Sequence, residues 1–450
     1  MTLDSIADQA AVSDAEALNP ETGVRGWLSR QPAMVVTIWA MVGAFSAYGS
    51  MYAFRKPFSA APFPGSYWGL DYKVLLVLSQ LVGYTLSKFL GIKFVSEATA
   101  VRRGAMVLGL IGFAELALIL FAIVPPPWNA ACLFLDGLPL GMVWGLIFAF
   151  LEGRRVTELM ALGLSLSLIF SSAWVKAAGL HTMAAWGVSA FWMPAVTGAL
   201  FLPLLLVAMW MLANLPRPTA VDVAARSLRQ PMDRAARRAF VRQHWLGVTL
   251  LVTGYMGLMT YRDVRDTFQV DILREFGVAA NPAKMAGQLA GIETTVGIAV
   301  MVALSVFALF KRNRHAYFAG CAVIALGGVL SGVSTAMLEA GRISPKLWMA
   351  ATGVGLYAAF VPYQSILFER LLAMLRTAGT AAFLIAICDS FGYLSTITLY
   401  FYKEFGAATV SWGRILTIAG YVMSVLLPIL MLGGALAFAW TKDHSETQNS

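Results

Sequence analysis

The chain has 450 residues, of which 59% are hydrophobic and 13% are charged, and its mean hydropathy is +0.71. A chain of this composition cannot cover its apolar side chains with a water-soluble surface, so it is predicted to cross a membrane many times. The formal net charge of +9 does not indicate nucleic-acid binding, because the cations fall in short loops between apolar segments.

Twelve apolar stretches, each close to the length of about 20 residues that crosses a bilayer as a helix, are predicted to be transmembrane spans. Spans 1 to 6 are expected near 33–55, 72–95, 104–124, 128–152, 159–180 and 188–213. Spans 7 to 12 are expected near 245–270, 286–310, 315–337, 346–371, 379–402 and 412–438. The sequence therefore predicts an all-α integral membrane protein with an N-terminal half at 33–213 and a C-terminal half at 245–438.

Three polar segments lie outside the two halves: an N-terminal tail at 1–32, a linker at 214–244 and a C-terminal tail at 439–450. The linker holds seven arginines against Asp222 and Asp233. Lysines and arginines also concentrate in the even-numbered connections, which the positive-inside rule assigns to the cytoplasm. We therefore expect a monomeric, multi-pass protein of a bacterial inner membrane, with both termini in the cytoplasm.

The same polar pattern occurs in one span of each half. In span 1, Tyr48 precedes Arg55 by seven residues, and in span 7, Tyr255 precedes Arg262 by seven residues. The two arginines are 207 positions apart (262 minus 55), which is close to half the chain. Transporters built from structural repeats bind their substrate where the repeats meet, so the pattern predicts a binding site between the two halves.

Other ionisable groups inside apolar spans are further candidates, because a charge in lipid is costly and usually faces a cavity or a partner. The additional cations are Lys56, Lys88 and Lys176. The carboxyls considered for charge balance or proton uptake are Asp136, Glu293 and Asp389, besides Glu115. Two plainer interpretations stay open: a lysine near a helix end reaches water, and Asp266, four residues after Arg262, forms an intrahelical pair with it.

Four tyrosines lie on the two spans that carry the arginines: Tyr48, Tyr52, Tyr255 and Tyr261. Their hydroxyl groups are candidates to donate hydrogen bonds to oxygens of a bound solute. Simple packing in the protein interior is an equally good interpretation of each.

Twelve spans in two halves resemble the major facilitator superfamily, and several motifs resemble its organophosphate:phosphate antiporters, which exchange glycerol phosphates and hexose phosphates. The motifs are Arg55-Lys56-x-Phe58-Ser59, Ser87-Lys88-Phe89, Arg262 after a tyrosine, Gly379-Thr380-Ala381-Ala382 and Phe391-Gly392-Tyr393-Leu394. The resemblance implies that Arg55 and Arg262 hold a phosphate group and that Lys88 assists. Guanidinium groups suit this role, because each can bind two phosphate oxygens at once.

Span 5 departs from the pattern of this family. The family carries a histidine there, whereas Lys176 is the only ionisable group within this span. Lys176 is therefore a candidate to replace that histidine, and the alternative is that it reaches out toward water.

The leading hypothesis is a secondary transporter that exchanges a small organophosphate for inorganic phosphate. A proton-coupled carrier of another organic anion, with Asp389 as the proton site, and a phosphate-ester sensor that moves no solute are the alternatives. An enzyme is not expected, because His181, His244, His315 and His444 are scattered, so neither a metal site nor a cofactor is predicted. The expected partners are the small anionic solute and the lipid bilayer.

Overall fold

The structure is a computed structural model that describes residues 22–97, 100–151, 157–216, 234–278, 281–310, 312–375 and 381–448. Most of the predicted N-terminal tail and the middle of the predicted linker lie outside the described residues. So do Gly379 and Thr380 of the span 11 motif.

Six long helices form the first half: α1 (Ala33–Arg55), α2 (Tyr72–Glu97), α3 (Ala100–Ile123), α4 (Ala130–Leu151), α5 (Thr157–Trp186) and α6 (Met193–Ala213). A short helix, Gly23–Ser29, precedes α1. A 3-10 turn, Pro57–Ala60, follows α1, and the antiparallel hairpin of β1 (Ser66–Tyr67) and β2 (Leu70–Asp71) leads into α2. Proline at the start of the turn lacks an amide hydrogen and stops α1 at Arg55.

Six long helices also form the second half: α7 (Trp245–Thr267), α8 (Pro282–Ser305), α9 (Asn313–Glu339), α10 (Pro345–Ser365), α11 (Ala381–Gly406) and α12 (Trp412–Gln448). Short helices lie before α7, at Arg234–Gln243, and after it, at Gln269–Glu275. A 3-10 turn, Val306–Leu309, follows α8. The segment Leu367–Leu375 continues α10 after a bend of 46°.

Within the described residues, eight helices are long and apolar enough to cross a membrane, and the bent α10 pair makes a ninth. The remaining long helices are α2, α5 and α7, which carry Lys88, Lys176 and Arg262. The chain is therefore an all-α, multi-pass membrane protein with six long helices in each half. We call the membrane face where α1 begins and α12 ends the terminal face, and the face of the β1–β2 hairpin the far face.

Helices α2 and α4 pack against each other at unusually short range. A Cβ atom on Gly137 would lie 2.3 Å from the backbone oxygen of Gln80, and one on Gly141 would lie 2.7 Å from that of Tyr84. Small residues at a spacing of four allow this approach between membrane helices. The contact holds Gln80 and Tyr84 of α2 against α4.

The two halves meet along α5 and α8 and along α2 and α11. The Phe170 ring of α5 fills the space beside Gly297 of α8. The ring centres of Tyr84 on α2 and Tyr393 on α11 are 5.6 Å apart. The site described next lies between these two contacts.

Candidate functional site

Arg55 and Arg262 are the cations of the site that have no acidic partner. Arg55 is 5% exposed, and its guanidinium carbon lies 3.7 Å from the centre of the Tyr84 ring. The guanidinium carbon of Arg262 lies 4.5 Å from the centre of the Phe360 ring. No described carboxylate lies within 4.0 Å of either group, and Nε of Arg55 has no hydrogen-bond partner. Two largely buried positive charges are therefore left without an ion-pair partner among the described residues.

Tyrosines from both halves surround the two arginines. The rings of Tyr48 and Tyr52 meet edge to face, with their centres 5.5 Å apart. Tyr52 and Tyr393 interact electrostatically with both guanidinium groups. The two arginines, from opposite halves, thus share one aromatic-lined site with several hydroxyl groups.

Lys88 is at the same site, but its charge is already balanced. Its ammonium group pairs with Asp389 of α11 and lies 4.9 Å from the centre of the Tyr393 ring. Asp389 also accepts hydrogen bonds from the hydroxyl of Tyr255 and, at 3.2 Å, from Nε2 of Gln364. Asp389 is therefore fully engaged, and neither member of the pair is a free charge.

Asp266 pairs with two lysines of the other half. Its Oδ2 lies 2.6 Å from Nζ of Lys56, and its Oδ1 lies 3.1 Å from Nζ of Lys176 and 2.5 Å from Oγ of Ser172. Nζ of Lys176 donates further hydrogen bonds to the backbone oxygen of Asp266, at 2.6 Å, and to Oε1 of Gln269, at 3.2 Å.

These contacts correct three interpretations of the sequence. Asp266 does not pair with Arg262 on its own helix, because the two lysines that α1 and α5 bring to it are nearer. Lys176 does not reach out toward water, since its side chain is fully buried. It also does not stand free beside Arg55 and Arg262 in place of a histidine, because it already bonds to Asp266 and Gln269.

Two predicted residues face the interior of the second half instead of the site. The Tyr261 hydroxyl lies near Ser331 of α9 and Thr352 of α10, because consecutive helical residues point about 100° apart and Arg262 takes the site-facing direction. Oε1 of Glu293 lies 2.7 Å from Arg265 and 2.6 Å from Nε2 of Gln269. Glu293 is therefore the partner of Arg265 and not of Arg55 or Arg262.

Asp136 lies behind Arg55 in the first half and is fully buried. Its Oδ2 accepts a hydrogen bond of 2.6 Å from Nε2 of Gln80. The same Nε2 donates to the backbone oxygen of Arg55 at 2.9 Å. Gln80 thereby connects Asp136 to the end of α1.

Sequence reasoning missed Tyr84, Phe360 and Gln364, and it named Tyr393 only within a motif and Asp266 only as a partner of Arg262. These five residues all belong to the site. For two of them a signal existed. Tyr84 precedes Lys88 by four residues and Tyr393 follows Asp389 by four, a spacing that puts each pair on one helix face. Because α2 and α11 run antiparallel, Lys88 lies opposite Asp389 and Tyr84 lies opposite Tyr393.

Two solved structures share this fold. The first is a D-xylose-proton symporter, with a TM-score of 0.59 and 12% identity over 88% of this chain and 96% of that one. The second is the inward-open conformation of the xylose transporter XylE from E. coli, with a TM-score of 0.56 and 14% identity over 89% and 95%. The chain therefore has the major facilitator fold that the sequence predicted.

The family itself is defined by sequence. Residues 57–440 match the model described as "Family of unknown function (DUF5690)", and the chain belongs to this family. No curated protein matches the chain.

Proposed function

We propose that the chain is a secondary transporter that moves a small anionic solute across the membrane by alternating access. The observation that carries the proposal is the pair Arg55 and Arg262, one from each half, at one aromatic-lined site without a described carboxylate partner. The neighbouring cations Lys56, Lys88 and Lys176 are all paired. Since an uncompensated buried charge is costly, the arginine pair is best explained by an anion that arrives from solution.

The number and type of the free cations suggest the class of anion. Two guanidinium groups match a dianion, and each can bind two of its oxygens. We therefore propose a phosphate ester exchanged for inorganic phosphate, supported by the motif around Arg55 and Lys56 that resembles organophosphate antiporters. Xylose, the solute for which the two structural neighbours are named, is neutral and would leave both arginines without an anionic partner.

The contacts between the halves support a state that is closed at the far face. Nζ of Lys73 pairs with Asp271 at 2.6 Å, and the backbone nitrogen of Asp71 donates to Glu404 at 2.7 Å. All described ion pairs between the halves lie at the far face or around the site. We propose that solute enters here from the terminal face, which the positive-inside rule assigns to the cytoplasm.

An anion bound by both arginines would draw the two halves together, whereas the empty site holds two like charges that oppose closure. Exchange of one anion for another is then faster than return of the empty carrier.

The test is phosphate exchange in liposomes that contain the purified protein. Wild type is expected to exchange external labelled phosphate for internal phosphate. Arg55→Lys and Arg262→Lys keep the charge but lose the planar pair of donors, so each is expected to reduce the exchange rate at least tenfold, on the order of the 1.4 kcal/mol that one lost charge-assisted hydrogen bond represents.

Arg414→Lys is the matched control, because this exposed arginine pairs with Glu339 within the second half. It should exchange phosphate like wild type. An inert wild type, or arginine variants as active as the control, would refute the proposal, and phosphate binding without flux would identify a sensor instead.

A further inference from the structure

The carboxyl of Asp136 differs from the other acids near the site because no cation pairs with it. Its Oδ2 accepts one hydrogen bond from Gln80, and its Oδ1 has no hydrogen-bond partner. By contrast, Asp389 pairs with Lys88 and Glu293 pairs with Arg265. Of the three carboxyls that the sequence predicted for charge balance or proton uptake, Asp136 is therefore the one without an ion-pair partner.

The helices around α4 contribute few charged groups that face Asp136. From α1 the positive charge is that of Arg55, and from α3 the acid is Glu115. Helix α2 contributes the neutral Gln80, and the buried cation of α5, Lys176, is bonded to Asp266. Glu115 adds negative rather than positive charge, and its Oε2 packs against α6 without a hydrogen-bond partner.

An ionised carboxylate in this interior depends on Arg55 for its compensation, because a buried charge without a counter-charge takes up or gives up a proton instead. The Oδ1 atom, which no donor reaches, is where a proton can sit, while Oδ2 keeps its bond from Gln80. A bound anion that engages the guanidinium of Arg55 withdraws this compensation from Asp136. Anion binding and protonation of Asp136 then favour each other by the same factor.

We propose that Asp136 is a proton-binding site coupled through Arg55 to the anion site, so that each transported anion is accompanied by a proton. The coupling rests on the transport function proposed above. One proton passes from the solution to Oδ1 as the anion binds Arg55, and both leave when the site opens to the other side. The proton site thus lies in the first half, at Asp136, and not at Asp389, where the sequence predicted it.

The proton site is tested first without any solute, by infrared difference spectroscopy of the purified protein as the pH is raised. A protonated buried carboxyl gives a carbonyl stretching band, and we expect wild type and Asp389→Asn to show one that Asp136→Asn lacks. Glu115→Gln is the matched control, because it removes a neighbouring carboxyl and should leave the Asp136 band in place. A band that is identical in wild type and Asp136→Asn overturns the proposal.

Gln80→Leu is a second variant that does not depend on Asp136→Asn folding. It removes the hydrogen bond to Oδ2, so it is expected to shift the same band to higher frequency. An unchanged band in Gln80→Leu also contradicts the assignment.

The coupling is tested by adding inorganic phosphate to the protein in weakly buffered solution and recording the pH. Wild type is expected to take up more protons per bound phosphate than Asp136→Asn. Phosphate itself takes up or releases the same number of protons with both proteins, so this contribution cancels in the difference. Equal uptake, with phosphate exchange still present, refutes the coupling and leaves the transport proposal intact. A wild type that neither binds nor exchanges phosphate refutes the transport proposal, while the infrared result still decides the proton site.

Discussion

Arginine and lysine behave differently among the buried cations of the candidate site. Lys56, Lys88 and Lys176 each have an aspartate partner from the other half. The guanidinium carbons of Arg55 and Arg262 instead lie over aromatic rings, and such a cation–π contact uses the charge of the group and not its N–H donors. The contact therefore holds these two charges in place without using the donors that would bind an anion.

The pair of Lys88 and Asp389 gives a prediction at the residue scale. Lys88→Gln and Asp389→Asn should each lower thermal stability, because each leaves one charge unpaired in the protein interior. The double variant should lower it by less than the sum, with a coupling of about 1–2 kcal/mol, since no unpaired charge remains.

Thermal unfolding of the four proteins in detergent measures this coupling. Strictly additive effects would show that the two side chains do not act as a pair.

At the scale of single helices, the two arginines are not in equivalent places. Arg55 is the last residue of α1, whereas α7 continues for five residues beyond Arg262, to Thr267. The Arg55 side chain still reaches the site, because side chains of a helix lean toward its N-terminus. The hydrogen bond from Gln80 to the Arg55 backbone oxygen fixes this helix end.

The close contact of α2 with α4 gives a prediction at the same scale. Gly137→Ala would put a Cβ atom 2.3 Å from the Gln80 backbone oxygen, so the helices must move apart and Gln80 must leave its place. We expect a loss of about 1–3 kcal/mol of stability, as for other overpacked sites, together with weaker phosphate binding.

Gly112→Ala on α3 is the matched control, because a Cβ atom there meets nothing within 4 Å. It should be neutral or slightly stabilising, since alanine favours helices. Thermal unfolding and phosphate binding of both variants check the prediction, and equal effects of the two substitutions would contradict it.

At the scale of the whole molecule, the ion pairs between the two halves all have their positive member in the first half, among the residues whose side chains the structure describes. Each of these ion pairs joins a lysine of the first half to an aspartate of the second. One of these ion pairs, between Lys73 and Asp271, lies at the far face. Alternating access requires these far-face pairs to separate when that face opens.

Cross-linking tests whether the far face opens during transport. In a background without Cys132, Cys321 and Cys388, the variant with Lys73→Cys and Asp271→Cys is expected to cross-link on oxidation and lose phosphate exchange, and reduction should restore it. The pair Glu339→Cys and Arg414→Cys is the control, because it joins two helices of the same half.

The control pair is expected to cross-link without loss of exchange. Full exchange by the cross-linked far-face pair would show that this face does not need to open.

The sequence by itself determined the membrane class and the two sets of six helices, and it predicted a special place for Arg55 and Arg262. These features depend on hydropathy and on a repeated local pattern, both of which are properties of neighbouring residues. It also placed Lys88 and Asp389 on helices that turn out to meet, but 301 positions separate the two residues in the chain, so no local pattern could pair them.

Only the tertiary structure decided which charges are compensated. Asp266 could have paired with Arg262 one turn away, and packing brought it Lys56 and Lys176 instead. Packing likewise turned Tyr261 away from the site and left Asp136 without an ion pair. The energy of a buried charge depends on the groups within a few ångströms, and in this fold those groups come from helices that are distant in the sequence.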